Sequence, residues 1–364
     1  MRHAFELARQ GGNRVSPNPL VGAVVVKKNK IVGAGWHESF GKPHAEVNAL
    51  HAAGNKASGA DLYVTLEPCS SFGKTPPCVD QIIRAKIKRV IFGAVDANPK
   101  NSNRALPLLK KHGVEVRFLD FQREHETLNT VFLHALKSDL PYVRLKAGIS
   151  MDGKLTDASG NSQWVTGEES RQKVQQLRQA ADGILIGANT FNADNPKLSL
   201  RPRPASVKEP SKILLSASGR LNPRHTLLRE KTLSQVIVCT THKGQTALQA
   251  KVKNPQVLFL VFPTKNNAFN LREVLKKLKA LGHHNILVEG GGALFACFMK
   301  QKKLFQELHL FMAPKIFGGP AMTWTGEFVL DGVNHPSGFD LKEMEKMGDD
   351  VYLRYSCSPA SSRI

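Results

Sequence analysis

Two cysteines nine positions apart, each directly after a proline in "EPCSSFGKTPPC" (residues 67–78), constrain this chain more than any other stretch. Proline locks its own φ and stiffens the backbone that carries the next residue. Two thiols held in this way suit a disulfide, a redox pair, a metal clamp or plain packing. Cysteines stand at 69, 78, 239, 297 and 357, an odd and scattered set in 364 residues. Such a set argues against the disulfide framework of a small secreted domain.

A zinc site takes about four ligands, and a catalytic one keeps a position for water. Upstream, "PHAEV" (43–47) offers His44 as a third protein ligand beside Cys69 and Cys78. Glu46 follows two residues later at the start of an apparent helix, within reach of the metal's water. Pro76 and Pro77 precede Cys78, which predicts a helix beginning at that cysteine. A helix N-terminus lowers a thiol pKa and favours the thiolate that zinc requires. A lone cysteine is usually a small buried hydrophobe, and a lone His-x-Glu is common by chance. Combined, with the strand-like "LYVTLE" running into Pro68 and Cys69, the residues predict a metal site on the zinc-deaminase pattern.

Around this site the first third alternates β-rich runs ("VGAVVV", "IVGAGW", "LYVTL", "RVIFGAV", "VEVRFL") with helical ones ("HAFELARQ", "HAEVNALHAAG", "CVDQIIRAK"). That alternation predicts a layered α/β domain. "FQREHETLNTVFLHALKSDLP" reads as one connecting helix closed by Pro141. A second α/β alternation starts at "YVRLKAGI", so the expected domains are 1–140 and 141–364. The final "SPASSRI" reads as a frayed end.

Hydrophobic residues make up 41% and charged residues 22%, and no apolar run reaches membrane-span length. No signal-peptide core opens the chain, so a cytoplasmic location and no membrane partner are expected. The net charge of +21 points to a basic surface or to phosphorylated substrates. Only 7% of residues are aromatic, which offers few stacking platforms, and a nucleic-acid partner is not expected. Homo-oligomer formation is compatible with the sequence but not fixed by it.

The loop between the two cysteines is longer than the P-C-x-x-C of nucleic-acid deaminases. With "SPNPLVGAVVV", "GWHESFGKPHAEVNAL", "LYVTLEPC" and "GKTPPC", the first domain closely resembles the deaminase domain of the bifunctional riboflavin-biosynthesis family RibD. The resemblance implies a cytidine-deaminase-like zinc fold with His44, Cys69 and Cys78 as ligands and Glu46 as proton shuttle. The implied substrate is a diaminopyrimidinone bearing a ribosylamino 5′-phosphate, contacted by Asn18, Asp96 and Asn98. Zinc would lower the pKa of a bound water toward about 7, and Glu46 would carry its proton to the leaving amine. Two departures stand out. Ser71 occupies a position where the family usually has histidine, and "DANPKNSNRA" lacks the glycines of the family's loop. Both lie where the phosphoribosyl arm is expected, so a chain in which only the reductase works is the alternative.

Further on, "VRLKAGISMDGKLTDASGNSQWVTG", "LRQAADGILIGANTFNADNPKLSLR" and "ILVEGGGALFACFM" resemble the same family's reductase domain, a dihydrofolate-reductase-like fold using NADPH. "EGGGAL" follows a strand and opens a helix, where backbone N–H groups can cradle phosphate. By resemblance, Gly148, Trp164, Thr190, Asp194, Gly291, Gly292, Ala293 and Leu294 line the cofactor. Ser162, Arg178, Leu198, Arg201 and Glu289 would hold the substrate, with the arginine forks suited to a phosphate. Lys146 is the candidate catalytic group at the ribose end. In "LLSASGRL", Ser216 and Ala217 replace the family's Asp-Ser near the cofactor.

Overall fold

The computed structural model describes residues 1–204, 207–265, 268–329 and 338–357. The chain separates into two compact units, Met1–Ser138 with Pro204–Lys208, and Asp139–Arg203 with Glu209–Ile364. The expected frayed tail lies outside the described residues.

Unit one begins with α1 (Arg2–Arg9) and a hairpin of β1 (Gly22–Lys27) and β2 (Lys30–Trp36). Lys28 and Asn29 turn the hairpin at φ 48° and 59°, the left-handed pair that matches the twist of the flanking strands. Then follow α2 (Ala45–Ala53), β3 (Asp61–Val64), α3 (Cys78–Arg84), β4 (Arg89–Phe92), α4 (Ala105–Lys111) and β5 (Glu115–Phe118). The sheet order is β2-β1-β3-β4-β5, with β3, β4 and β5 parallel. Val25, Leu62, Val90, Ala49 and Ile82 are fully buried between sheet and helices. Burying each Leu or Ile contributes about 1.5–3 kcal/mol. Gly35 lets α2 settle on β2, because a Cβ there would meet the Ala49 amide nitrogen at 2.6 Å. That close fit sets the height of the helix end carrying His44 and Glu46.

The expected single connecting helix is two, α5 (Gln122–Leu128) and α6 (Thr130–Lys137). Asn129 leaves the helical path between them at φ −110°, ψ 26°. Its side chain accepts from the Leu20 amide at 2.7 Å and donates to the Leu20 carbonyl at 3.1 Å. The tertiary contact overrides helix propensity there.

Unit two opens with β6 (Tyr142–Ser150), α7 (Glu168–Ala180), β7 (Gly183–Gly187), α8 (Ala188–Asp194) and β8 (Ser211–Leu215). It continues through α9 (Thr226–Arg229), β9 (Val236–Thr240), α10 (His242–Gln249), β10 (Val257–Val261), and the short β11 (Thr264–Lys265) and β12 (Ala268–Phe269). Next come α11 (Leu271–Ala280), β13 (Asn285–Glu289), α12 (Gly292–Met299) and β14 (Glu307–Ala313). A closing hairpin, β15 (Phe339–Met347) and β16 (Asp350–Cys357), was not legible in the sequence; β16 pairs antiparallel with β14. Among the described residues the main sheet runs β10-β9-β8-β7-β13-β6-β14-β16-β15. Strands β8, β9 and β13 are buried at every position, as parallel strands covered on both faces must be. No helix among the described residues is long and apolar enough to cross a membrane.

Candidate metal centre and reductase site

His44 is the N-cap of α2, and Glu46 points inward from its first turn. Beyond β3 the chain bends at Thr65 and Leu66 before reaching Cys69, and α3 starts at Cys78 as the proline pair predicts. The ligand atoms of His44, Cys69 and Cys78 all lie within 4.8 Å of one another. His44 Nδ1 stands 3.5 Å from Cys69 Sγ and 3.3 Å from Cys78 Sγ. Tetrahedral zinc with ordinary Zn–S and Zn–N bonds needs an S···N edge of about 3.5 Å. Two thiols and an imidazole with that spacing fit zinc.

The electrostatics agree with a ligand set. Cys69 is brought down to about 4, first by the hydrogen bond from the Cys78 thiol and then by His44, against its own burial. Cys78 is pushed up by the same bond and by burial. Glu46, only 3% exposed, is pushed up to about 7, first by burial and then by the Cys69 charge. A carboxyl poised there both accepts and returns a proton at neutral pH.

His44, Glu46 and Cys69 floor a cavity of about 320 Å³ whose wall includes Asn18, Asp96, Asn98 and Ser71. Of the expected deaminase residues all but the fully buried Cys78 line it. The cavity also contains residues that the sequence reading missed. His37 Nδ1 meets the Pro43 carbonyl at 3.1 Å, so Nε2 accepts from Asn18 Nδ2 at 3.1 Å. Burial lowers the His37 pKa and keeps it neutral. Its presence in "GWHES", seven residues before His44, was the only signal. Lys42, Lys74 and Lys100 line the same cavity. Glu67 lies beneath the far wall, accepting from the amides of Asp96, Asn103 and Ala105 at 3.4, 2.9 and 3.3 Å.

In unit two, Lys146 of β6 and Glu289 of β13 are register partners, 3.2 Å apart as an ion pair. Arg178 of α7 grips the same carboxylate at 2.6 and 2.9 Å. The fork expected to meet a phosphate is thus taken by Glu289, whereas Arg201 is exposed. Gly290 to Gly292 carry the chain from β13 into α12, with the Thr190 hydroxyl 3.5 Å from where a Gly291 Cβ would stand. Leu294 on α12 lies 4.0 Å from where a Gly187 Cβ would stand, and Ala293 precedes it. On β6, Gly148 faces the Thr166 side chain. These positions follow or end parallel strands, the edge where open α/β sheets bind ligands.

Burial raises the Asp194 carboxyl, and its hydrogen bond with Ser162 partly offsets that. Trp164 is 64% exposed, with the Arg171 guanidinium 4.9 Å from its ring centre. The Leu198 side chain is 4% exposed and packs into the core with Phe191 and Leu214, so only its backbone can face a ligand. Ser216 Oγ is buried and without a hydrogen-bond partner among the described residues, while the Ala217 carbonyl accepts from Thr241.

A zinc-type pyrimidine deaminase unit followed by an α/β reductase unit is the class that this fold and these sites define. The sequence family described as "Cytidine and deoxycytidylate deaminase zinc-binding region" matches residues 1–94, and "RibD C-terminal domain" matches residues 141–353. The riboflavin biosynthesis protein RibD of Aquifex aeolicus is 39% identical over 353 residues, 97% of this chain and 96% of the relative. That of Escherichia coli is 35% identical over 365 residues, 97% of each. The solved Acinetobacter baumannii RibD superposes with a TM-score of 0.86 at 32% identity, covering 98% of each chain. A Thermotoga maritima structure, a diaminohydroxyphosphoribosylaminopyrimidine deaminase/5-amino-6-(5-phosphoribosylamino)uracil reductase, gives 0.85 at 32%, covering 98% of this chain and 97% of that one. The chain belongs to the RibD family: it is a riboflavin-biosynthesis enzyme combining a zinc deaminase with an NADPH-dependent reductase.

Proposed function

We propose that both units work in succession on one small phosphorylated pyrimidine in the cytoplasm. Residues 1–140 remove an exocyclic amine from 2,5-diamino-6-ribosylamino-4(3H)-pyrimidinone 5′-phosphate. Residues 141–364 then reduce the ribosyl group to ribityl with NADPH. The observation that carries the first half is the His44–Cys69–Cys78 cluster with a buried, protonatable Glu46 at the floor of one cavity.

His44, Cys69 and Cys78 would hold zinc, which would supply Lewis acidity that makes water a nucleophile at neutral pH. Glu46 would take a proton from the attacking water at its carboxylate and return it to the departing amine. Asn18, braced by neutral His37, presents its Oδ1 to the pyrimidine. Lys42, Lys74 and Lys100 give the phosphate arm a cationic wall, and their ε-ammonium groups act as point charges. Among the described residues no cysteine forms a disulfide.

In the second unit the nicotinamide supplies the hydride. Glu289 holds Lys146 in place at the ribose end, and Arg178 locks Glu289. Gly148, Trp164, Thr190, Asp194 and Gly291 to Leu294 frame the cofactor, and Ser162, Leu198 and Arg201 frame the substrate. The test is ammonia release from the diaminopyrimidinone by zinc-loaded protein without NADPH. E46Q should keep its zinc and lose about 10²–10⁴-fold in rate. No release from zinc-loaded wild type would leave the reductase as the working half.

A further inference from the structure

The two places where the deaminase half departs from its family touch each other. The Ser71 hydroxyl, in the loop between the cysteines, donates to Asn101 Oδ1 at 2.7 Å. Asn101, in "DANPKNSNRA", donates from Nδ2 to Asp96 Oδ2 at 3.0 Å. Asp96 Oδ1 accepts the Asn98 amide at 2.8 Å. All four residues line the cavity above the metal cluster. The direction of the chain is set by chemistry. An ionised carboxylate only accepts, so the amide must turn its NH₂ to Asp96 and its oxygen to Ser71, whose hydroxyl must donate. A histidine at position 71 offers no such compact hydroxyl. The loop is otherwise anchored from below by Glu67, which holds the amides of Asp96, Asn103 and Ala105. The Asn101 side chain itself is bonded only at the cavity wall.

We propose that Asn101 is a positioning residue for the deaminase, aiming the Asp96 carboxylate at the substrate, with Ser71 fixing the Asn101 amide. The Ser71–Asn101–Asp96 bonds thereby join the cysteine loop to the 96–105 loop in one substrate wall. The proposal rests on the deaminase reading above, and the test separates the two. Wild type, S71A, S71T, N101A and the S71A/N101A pair are assayed for ammonia release, zinc content and NADPH-dependent reduction of the deaminated substrate.

A hydrogen bond to a charged group is worth roughly tenfold in binding, and a neutral one somewhat less. N101A should therefore raise KM about tenfold with kcat changed no more than about twofold. S71A should raise it about threefold, S71T should restore it, and the double variant should match N101A because the hydroxyl acts through the amide. Zinc and reduction should stay at wild-type levels throughout. Additive losses in the double variant, an unchanged KM in N101A, or zinc loss in N101A would each overturn the proposal. Absence of ammonia release from wild type would instead refute the deaminase reading and the proposal with it.

Discussion

Glu289→Gln tests whether the ion cluster of the reductase unit is held as the structure describes. Glu289 closes β13 with its side chain 10% exposed, and it faces Arg178 and Lys146. Burial pushes its carboxyl up, but the charges of Arg178 and Lys146 and their hydrogen bonds outweigh that and bring it from 4.5 to about 2. A fall of that size represents about 3 kcal/mol of native stability at neutral pH. Glutamine keeps the shape but removes the charge, leaving a guanidinium and an ammonium facing a neutral amide. Breaking a buried pair from one side costs about 3–5 kcal/mol, in agreement with the first figure.

In a unit of this size each kcal/mol moves Tm by about 2–4 °C, so E289Q should melt about 10 °C lower at pH 7. The folded carboxyl is the more acidic one. Its advantage is therefore complete above about pH 4.5 and is lost as pH falls toward 2. At pH 3 about 2 kcal/mol of it should be gone, and the gap between variant and wild type should narrow accordingly. Calorimetric melts of both proteins from pH 7 to pH 3 measure this. A Tm difference under about 2 °C at pH 7, or a gap that does not shrink with acid, would refute the reasoning.

Chelation of the metal should abolish ammonia release while NADPH oxidation with the deaminated substrate continues; parallel loss of both would show that zinc serves more than the first unit. Gly35→Ala should push α2 off β2, because its Cβ would meet the Ala49 backbone nitrogen at 2.6 Å. Unit one should lose about 1–3 kcal/mol, and zinc affinity should fall with the displacement of His44. An unchanged melt with full zinc occupancy would sink that account.

The reductase residues show how far a motif carries. Arg178 and Glu289 were both expected to hold substrate, yet they stand 111 positions apart in sequence and bond to each other. Leu198 was expected by resemblance to hold substrate, and its side chain faces the core under β7 and β8. Asn129 interrupts a helix that the local pattern reads as continuous, because its amide satisfies Leu20 across 109 positions. Each difference arises where a partner distant in sequence outweighs a local preference.

By itself the sequence determined the His44, Cys69 and Cys78 cluster that could hold a metal, the Glu46 beside it, the order of the two units and most strands. Those features depend on short spacings: a helix start at Cys78, a cap at His44, and runs of β-rich residues between helices. Only the tertiary structure decided that neutral His37 braces Asn18, that three lysines share the cavity, and that Ser71, Asn101 and Asp96 form one chain. Hydrogen bonds and charges act over a few ångströms in space, and folding brings together side chains that no local sequence pattern links.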